Sequence, residues 1–163
     1  MKTLLLVRHA KSSWGDQSLP DHERPLNHRG RRDAPRAGAR LRERGVAPDV
    51  IVTSTAVRAR STAVILAEAL DLESGRIVED GRLYGATPDG LLELVRALDH
   101  ELVAVMLVGH NPEIGELASR FSDEIDDMPT CAVAEFRFDV AGWAEVGTVA
   151  PVEVLYDAPA HDR

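Results

Sequence analysis

Leu5-Leu6-Val7-Arg8-His9-Ala10-Lys11-Ser12, the stretch LLVRHAKS, decides how the fold of this 163-residue chain is interpreted. Its consecutive apolar residues predict a short strand that is buried on both faces, as in a parallel sheet. The strand stops at Arg8 and His9. Because open α/β sheets bind ligands at the carboxyl ends of their strands, these two side chains are candidates for a binding site.

Strand and helix signals alternate along the rest of the chain, which favours βαβ units and a largely parallel sheet. Strands are predicted at 3–8, 50–52, 77–78, 102–108, 133–140 and 152–156. Helices are predicted from Asn27 to Gly45, at 57–70, after Thr87 and after Asn111. No linker divides the sequence, so we expect a single domain over residues 1–163.

Two of these helices carry specific expectations. Pro35 lies inside the first one and is expected to kink or break it, because proline removes a backbone donor and clashes with the preceding turn. In the helix at 57–70, the larger aliphatic residues fall mostly on one side: Val57, Val64, Ile65 and Leu70.

The charge is unevenly distributed. The net charge of −8 argues against general nucleic-acid binding, yet residues 1–60 hold 13 Lys or Arg against 6 Asp or Glu. An anionic small ligand is therefore drawn towards the N-terminal third. Seven arginines between positions 29 and 44 are expected simply to solvate one helix, which leaves Arg8 and Arg58 to be explained.

Cys131 is the one cysteine, so the sequence predicts neither a disulfide framework nor a thiolate metal cluster. The first apolar run is shorter than the roughly 7–15 residues of a signal-peptide core. No run approaches the ~18 residues of a membrane span. We expect a cytoplasmic protein that does not associate with a membrane.

Charged or nucleophilic residues follow three predicted strands. Arg8 and His9 follow the first, Arg58 falls in the first turn of the helix after the second, and His110 follows the run at 102–108. The ends of parallel strands share one edge of the sheet, so these side chains can converge. Arginine forks and helix N-termini suit a phosphate dianion, and a neutral imidazole such as that of His9 is a phosphorus nucleophile.

These motifs resemble the histidine phosphatase (phosphoglycerate mutase-like) superfamily. Arg8-His9-Ala10 stands where that family has Arg-His-Gly, and Ser54 and Arg58 match its Ser-x-x-x-Arg turn. Gly109-His110 matches its late Gly-His. The RHAKSSW form of the first motif and Arg24-Pro25-Leu26 are similar to the small SixA-type phosphohistidine phosphatases.

The resemblance implies a role for each matched residue. His9 is the nucleophile that becomes phosphorylated, and Arg8 and Arg58 hold the phosphoryl oxygens. His110 is a further donor to the developing charge, and Arg24 is an additional phosphate contact. No metal and no cofactor is implied. The implied fold is a three-layer α/β/α sandwich with a mixed, mainly parallel sheet.

The sequence departs from the family pattern in two places. Ala10 replaces the usual glycine. The proton donor of phosphomonoester-cleaving relatives is also missing, because Gly81 stands where those relatives have a glutamate and Asn111 follows the second histidine. Glu79 and Asp80 are close in sequence and are alternatives for this role, although such acids are often only solvated.

The leading hypothesis is a metal-independent phosphatase that hydrolyses phosphohistidine on partner proteins through a phosphohistidine intermediate on His9. One alternative is a broad small-molecule phosphomonoesterase that uses the same site. A second alternative is a non-catalytic module that binds phosphoproteins without turning them over. The sequence does not identify the phosphorylated partner.

Overall fold

Six strands form one mixed sheet in the computed structural model, which describes residues 1–160. In the spatial order β3-β2-β4-β1-β5-β6, the first four strands run parallel, and β5 runs antiparallel to both β1 and β6. The predicted mixed, mainly parallel sheet is confirmed. The strands are β1 (Lys2–Arg8), β2 (Val50–Thr53), β3 (Ile77–Glu79), β4 (Ala104–Gly109), β5 (Val133–Phe138) and β6 (Glu153–Asp157).

Four α-helices cover the two faces of the sheet: α1 (His28–Glu43), α2 (Val57–Ala69), α3 (Pro88–Arg96) and α4 (Glu113–Phe121). Successive residues of β1 point to opposite faces, so Leu4 packs in the core beneath α3 and α4 and Leu5 packs in the core beneath α1 and α2. The result is the predicted three-layer α/β/α sandwich. Within residues 1–160, no helix is long and apolar enough to cross a membrane.

The register of the central strands brings their carboxyl ends to one level. Arg8 at the end of β1 pairs with Gly109 at the end of β4. Thr53 at the end of β2 pairs with Val108. The residues that follow these strands therefore emerge side by side at one edge of the sheet, as the sequence predicted.

The N-terminus of α1 is fixed close to this edge. The Asn27 side chain accepts a hydrogen bond from the Gly30 amide and caps the helix at the residue where the sequence predicted its start. A Cβ atom at Gly30 would lie 2.2 Å from the Lys11 carbonyl oxygen. Glycine is therefore required for α1 to lie so close to the loop that follows His9.

The buried face of α2 differs from the side on which most of its larger aliphatic residues lie. Val64 is 44% exposed, and the residues that are buried are mostly smaller: Arg58, Ala59, Thr62, Ala63, Leu66 and Ala67. The reason is close packing against α1, since a Cβ atom at Gly38 would lie only 2.4 Å from the Ala69 Cβ. Small residues are therefore needed where Gly38 meets Ala69, and Leu66 packs beside them.

The expected break at Pro35 does not occur. Helix α1 continues through this residue from His28 to Glu43. Pro35 has no amide hydrogen, so the carbonyl of Arg31, four residues earlier, has no intrahelical donor. Both residues lie on the exposed side of α1. Water can bind the freed carbonyl there, and the buried residues Ala34 and Leu41 hold the helix against the sheet.

The arginines of α1 do more than solvate it, contrary to expectation. Arg40 forms a two-point ion pair with Asp157 at 2.8 and 3.0 Å, and Arg44 contacts the buried Glu135 at 2.5 Å. These contacts join the basic N-terminal third to acidic residues of β5 and β6. Part of the uneven charge along the sequence is thus neutralised within the fold.

Candidate active site

The three strand ends form a cavity of about 210 Å³ at the carboxyl edge of the sheet. It is lined by all five side chains predicted to belong to the site, Arg8, His9, Arg24, Arg58 and His110, together with Lys11, Ser12, Trp14, Asn111 and Thr130. We call this cavity the phosphate pocket, for its predicted ligand. The five predicted side chains are three guanidinium and two imidazole groups, and none of the residues that line the cavity has a carboxylate.

The hydrogen bonds of His9 define which ring nitrogen carries the proton. Its Nδ1 lies 2.7 Å from the Ala10 carbonyl oxygen, which can only accept, so Nδ1 is the donor. Its Nε2 accepts from the Arg58 Nε–H at 3.3 Å. The lone pair is therefore on Nε2, the tautomer that a nucleophilic histidine needs.

Burial, helped by the charges of His110, Arg58 and Arg8 and opposed by the hydrogen bond to the Ala10 carbonyl, lowers the pKa of His9 from 6.5 to about 3. The residue is 7% exposed. At neutral pH the imidazole is therefore unprotonated, and Nε2 keeps a lone pair, which accepts the hydrogen bond from Arg58 in this structure. Ala10, which replaces the family glycine, is fully buried and donates its amide hydrogen to Thr62 Oγ1 at 3.0 Å.

The three arginines approach the pocket from different elements. Arg8 ends β1 and donates to the Met128 carbonyl at 3.0 Å, while its Nε is buried with no partner in the described chain. Arg58 comes from the first turn of α2. Arg24 comes from the loop before α1 and stacks on the Trp14 ring, with its Cζ 3.5 Å from the ring centroid.

His110 lies beside His9, with 5.0 Å between the ring centroids. Its Nε2 is 2.8 Å from the Ser54 hydroxyl, whereas its Nδ1 is buried and lacks a hydrogen-bond partner among residues 1–160. Burial, followed by the charge of Arg58, lowers the pKa of His110 to about 4. A buried ring nitrogen without a partner is suited to bind a group of the ligand.

Asp21 is a residue of the site that the sequence interpretation missed. Its carboxylate accepts from Arg58 Nη2 at 3.0 Å, from Arg24 Nε at 3.1 Å and from the Tyr84 hydroxyl at 2.6 Å. The Tyr84 hydrogen bond, with those of the arginines, holds the pKa of Asp21 well below its usual range. Its position three residues before Arg24 could have indicated the contact with Arg24, but no sequence pattern indicates its contact with Arg58.

The C-terminal third of the chain also contributes to the site. Thr130 lines the phosphate pocket. The Cys131 amide donates to both the Arg8 and the His9 carbonyl oxygens, at 3.0 and 3.1 Å. Residues beyond the recognised motifs therefore fix the backbone of the candidate nucleophile. Cys131 itself is buried, and burial raises the pKa of its thiol to about 12, so it is not a second nucleophile.

The two acids proposed as alternative proton donors have other partners. Asp80 is bound by Arg82 at 2.7 Å, and this contact lowers the pKa of its carboxyl. Glu79 lies 3.4 Å from Arg60. Neither lines the phosphate pocket. A carboxylate stabilised by an arginine is a poor proton donor, so the geometry gives no support to Asp80 in this role.

The arrangement combines a neutral imidazole nucleophile with fixed cations. Three guanidinium groups and the N–H donors near them can neutralise the three oxygens of a phosphoryl group. Within the described part of the chain, no group of three or more histidine, cysteine or acidic residues is placed to hold a metal ion. The chemistry that these side chains support directly is phosphoryl transfer to His9 Nε2.

Sequence comparison links the chain to known proteins. Residues 4–83 match the model of the histidine phosphatase superfamily (branch 1). An uncharacterized protein of Mycobacterium tuberculosis is 37% identical over 152 residues, which cover 86% of this chain and 91% of that protein. An uncharacterized chloroplastic protein of Arabidopsis thaliana is 31% identical over 175 residues, covering 95% of this chain and 80% of that protein.

Structural comparison points the same way. A protein from Nakamurella multipartitia that has been assigned as a phosphohistidine phosphatase SixA superposes with a TM-score of 0.84 at 29% identity, over 98% of this chain and 97% of that one. A second protein with this assignment, from Agrobacterium tumefaciens, gives a TM-score of 0.80 at 28% identity, over 97% and 99% of the two chains. These matches extend across the C-terminal strands, beyond the residues covered by the sequence motifs.

Proposed function

The chain belongs to the histidine phosphatase superfamily and has the SixA-type fold, and we propose that it hydrolyses phosphohistidine on partner proteins through a phosphohistidine intermediate on His9. One observation carries the proposal: the Nε2 lone pair of a neutral His9 lies in a pocket that is lined by arginines and by no carboxylate. Such a site is built to accept a phosphoryl group and lacks a general acid.

In the first step, the substrate ring carries a proton from solvent on its other nitrogen. His9 Nε2 attacks phosphorus, the P–N bond of the substrate breaks, and its electron pair stays on the ring, which leaves as neutral imidazole. Arg8, Arg58 and His110 face the phosphoryl oxygens and stabilise the charge of the transition state. The proton on His9 Nδ1 stays in its hydrogen bond to the Ala10 carbonyl. That bond stabilises the positive charge that the ring acquires on phosphorylation.

In the second step, water attacks the phosphorus of the intermediate and releases inorganic phosphate. His9 recovers its Nε2 lone pair, and a proton from the attacking water passes to solvent. No metal ion takes part in either step of the proposed mechanism. The arginines provide the positive charge that a metal provides in other phosphatases.

The leaving group explains why a pocket without an acid suffices. Imidazole leaves as a weak base, because its conjugate acid has a pKa of only ~6.5. An alkoxide is far more basic, and its departure needs a positioned acid that is worth roughly 10²–10⁴ in rate. A cavity of about 210 Å³ is also smaller than the roughly 300–1,000 Å³ of pockets that enclose small-molecule ligands. Both features favour a protein-borne phosphohistidine.

A substrate panel tests the proposed specificity. We expect kcat/KM to be highest for a phosphohistidine peptide, lower for an aryl phosphate and lowest for an alkyl phosphate such as a sugar phosphate. Equal rates on phosphohistidine and alkyl phosphate would instead establish the broad phosphomonoesterase. The rates should be the same with and without a chelator.

Labelling tests the intermediate. Brief exposure to ³²P-phosphohistidine peptide should give an acid-labile, base-stable adduct on the protein, and His9→Ala should abolish both the adduct and turnover. His22→Ala is the matched control, because His22 binds Thr55 at 2.8 Å near the site but does not line the pocket. Binding of the peptide without any adduct or turnover would identify a non-catalytic phosphoprotein-binding module.

A further inference from the structure

A groove of about 630 Å³ adjoins the phosphate pocket and carries acidic side chains. They are Glu116 on α4 and Asp126 and Asp127 on the loop that follows α4. Arg8 and Asn111 line both cavities, so the groove and the pocket share a wall. A substrate whose phosphoryl group lies in the pocket therefore places neighbouring groups over the groove.

The three carboxylates are exposed and have no ion-pair partner within 4 Å in residues 1–160. Negative charge beside a phosphate site is unfavourable for an anionic metabolite, because like charges brought together in a complex repel each other. The same charge is favourable for a substrate that brings a cation with its phosphoryl group. The negative charge of the groove thus favours a substrate that carries a cation over an anionic metabolite.

The adjoining pocket carries its own evidence for a ligand. His110, which is 7% exposed and lines the pocket, has a buried Nδ1 with no hydrogen-bond partner in the described residues. The Nε of Arg8, on the wall between pocket and groove, is also buried and unpaired there. The acidic groove is therefore the flank of a site with donors available for an anion.

Two exposed apolar side chains also lie beside the pocket, which supports a protein as the partner. Trp14 lines the phosphate pocket and is 69% exposed. With Leu19, which is 37% exposed, it lines a second adjoining recess of about 330 Å³. Exposed aromatic and aliphatic side chains beside a site are typical of protein–protein contacts.

We infer that the acidic groove receives a lysine or arginine side chain that the phosphoprotein substrate carries close to its phosphohistidine. The inference rests on the proposed function and narrows its substrate class. The phosphoryl group binds the arginines of the pocket, and the neighbouring cation binds Glu116 and Asp126. This pairing of opposite charges selects a basic segment around the phosphohistidine and rejects an acidic one.

Three probes and two variants test the inference. The probes are a phosphohistidine peptide flanked by lysines, the same peptide flanked by glutamates, and phosphoimidazole, which has no flanking groups. The test variant is E116Q/D126N. The matched control is E124Q, because Glu124 is an exposed acid in the same loop that does not line the groove.

We expect kcat/KM of the wild type to favour the lysine-flanked peptide by roughly two- to thirtyfold, the range for two partly screened ion pairs. E116Q/D126N should lose most of this preference, while E124Q keeps it. Both variants should hydrolyse phosphoimidazole within about twofold of the wild type. Added salt should reduce the preference of the wild type.

The outcomes separate the inference from the proposed function. Equal rates of the wild type on the two peptides, or an equal loss in E124Q, overturn the inference alone. A loss of phosphoimidazole hydrolysis in E116Q/D126N also overturns it, because the carboxylates would then act on the phosphate pocket itself. Failure of the wild type on all three P–N substrates overturns the proposed function.

Discussion

Arg58 directs its Nε–H at the Nε2 atom of His9 over 3.3 Å, so the lone pair of the candidate nucleophile lies against a fixed cation. The contact joins the first turn of α2 to the residue after β1, which are 49 positions apart in the sequence. A phosphoryl group that is attacked by Nε2 is therefore bound next to a hydrogen-bond donor that is already in place. Such preorganised donors supply a large part of enzymatic rate enhancement.

Replacement of one of these arginines should be costly. Arg58→Ala and Arg8→Ala should each lower kcat/KM for the phosphohistidine peptide by about 10²–10³, as expected for the loss of one fixed donor. Arg60→Ala is the control on the same helix, because Arg60 pairs with Glu79 outside the pocket. Steady-state kinetics measure the effect, and an Arg58→Ala enzyme that matches Arg60→Ala would contradict the assigned role.

Asp21 is predicted to act as a positioning residue for the arginines. Asp21→Asn should lower kcat/KM by about ten- to a hundredfold, the scale of a small misplacement of catalytic groups. The inhibition constant of inorganic phosphate should rise in parallel, because Arg24 and Arg58 are less firmly held. Asp16→Asn serves as control, since the Asp16 side chain in the same loop accepts hydrogen bonds from Ser18 and does not line the phosphate pocket. Tighter phosphate binding in Asp21→Asn would show that the carboxylate competes with the ligand instead.

The two histidines of the site should remain neutral well below the pH at which a solvent-exposed histidine becomes protonated. NMR titration of ¹⁵N-labelled protein should give a pKa of about 3 for His9 and about 4 for His110. His9→Ala and His110→Ala assign the resonances. A pKa near 6.5 for either ring would mean that the pocket is far better solvated than its burial indicates.

The same shifts predict how stability depends on pH. Because the folded-state values lie below 6.5, the unfolded chain binds more protons between pH 6.5 and about 3, and the free energy of unfolding falls as the pH is lowered through that range. Urea unfolding at pH 7 and pH 5 measures the loss. The loss should be smaller in His9→Ala, and an unchanged pH dependence in this variant would argue against the shift.

Introduction of an acid should broaden the substrate range. Gly81→Glu should raise alkyl phosphate hydrolysis by at least about tenfold, part of the roughly 10²–10⁴ that a positioned acid supplies, with little change on phosphohistidine. The site tolerates a side chain, since no atom lies within 4 Å of a Cβ placed at Gly81. Gly75→Glu is the matched control, because Gly75 has the same free space and precedes β3 instead of following it.

The fold and the centre of the site were predictable because they follow from burial and strand order. The apolar runs of β1 and β4 indicated central strands, and polar residues at the ends of parallel strands must share an edge. The register of Arg8 with Gly109 then brings His9 and His110 together. The prediction needed only the pattern of the strands and the rule for parallel sheets.

Packing and loop paths were not predictable in the same way. The buried face of α2 is set by how closely α1 approaches at Gly38, whereas the sequence pattern shows only on which side the larger aliphatic residues lie. Asp21 lies in a connection without periodicity, and its contact with Arg58 spans 37 residues. Contacts of this kind depend on the path of the loop in three dimensions, which no local pattern encodes.

The two hydrogen bonds from the Cys131 amide have a practical consequence for fragment design. All recognised motifs end by His110, so the motifs alone would allow a truncation that stops near residue 120. It would remove Thr130 and the Cys131 amide that binds the Arg8 and His9 carbonyl oxygens. It would also leave unpaired the edge of β1 that β5 now covers. A fragment that ends near residue 120 should therefore be active only when a second fragment that carries residues 130–138 is added. The two fragments could serve as the halves of a complementation reporter.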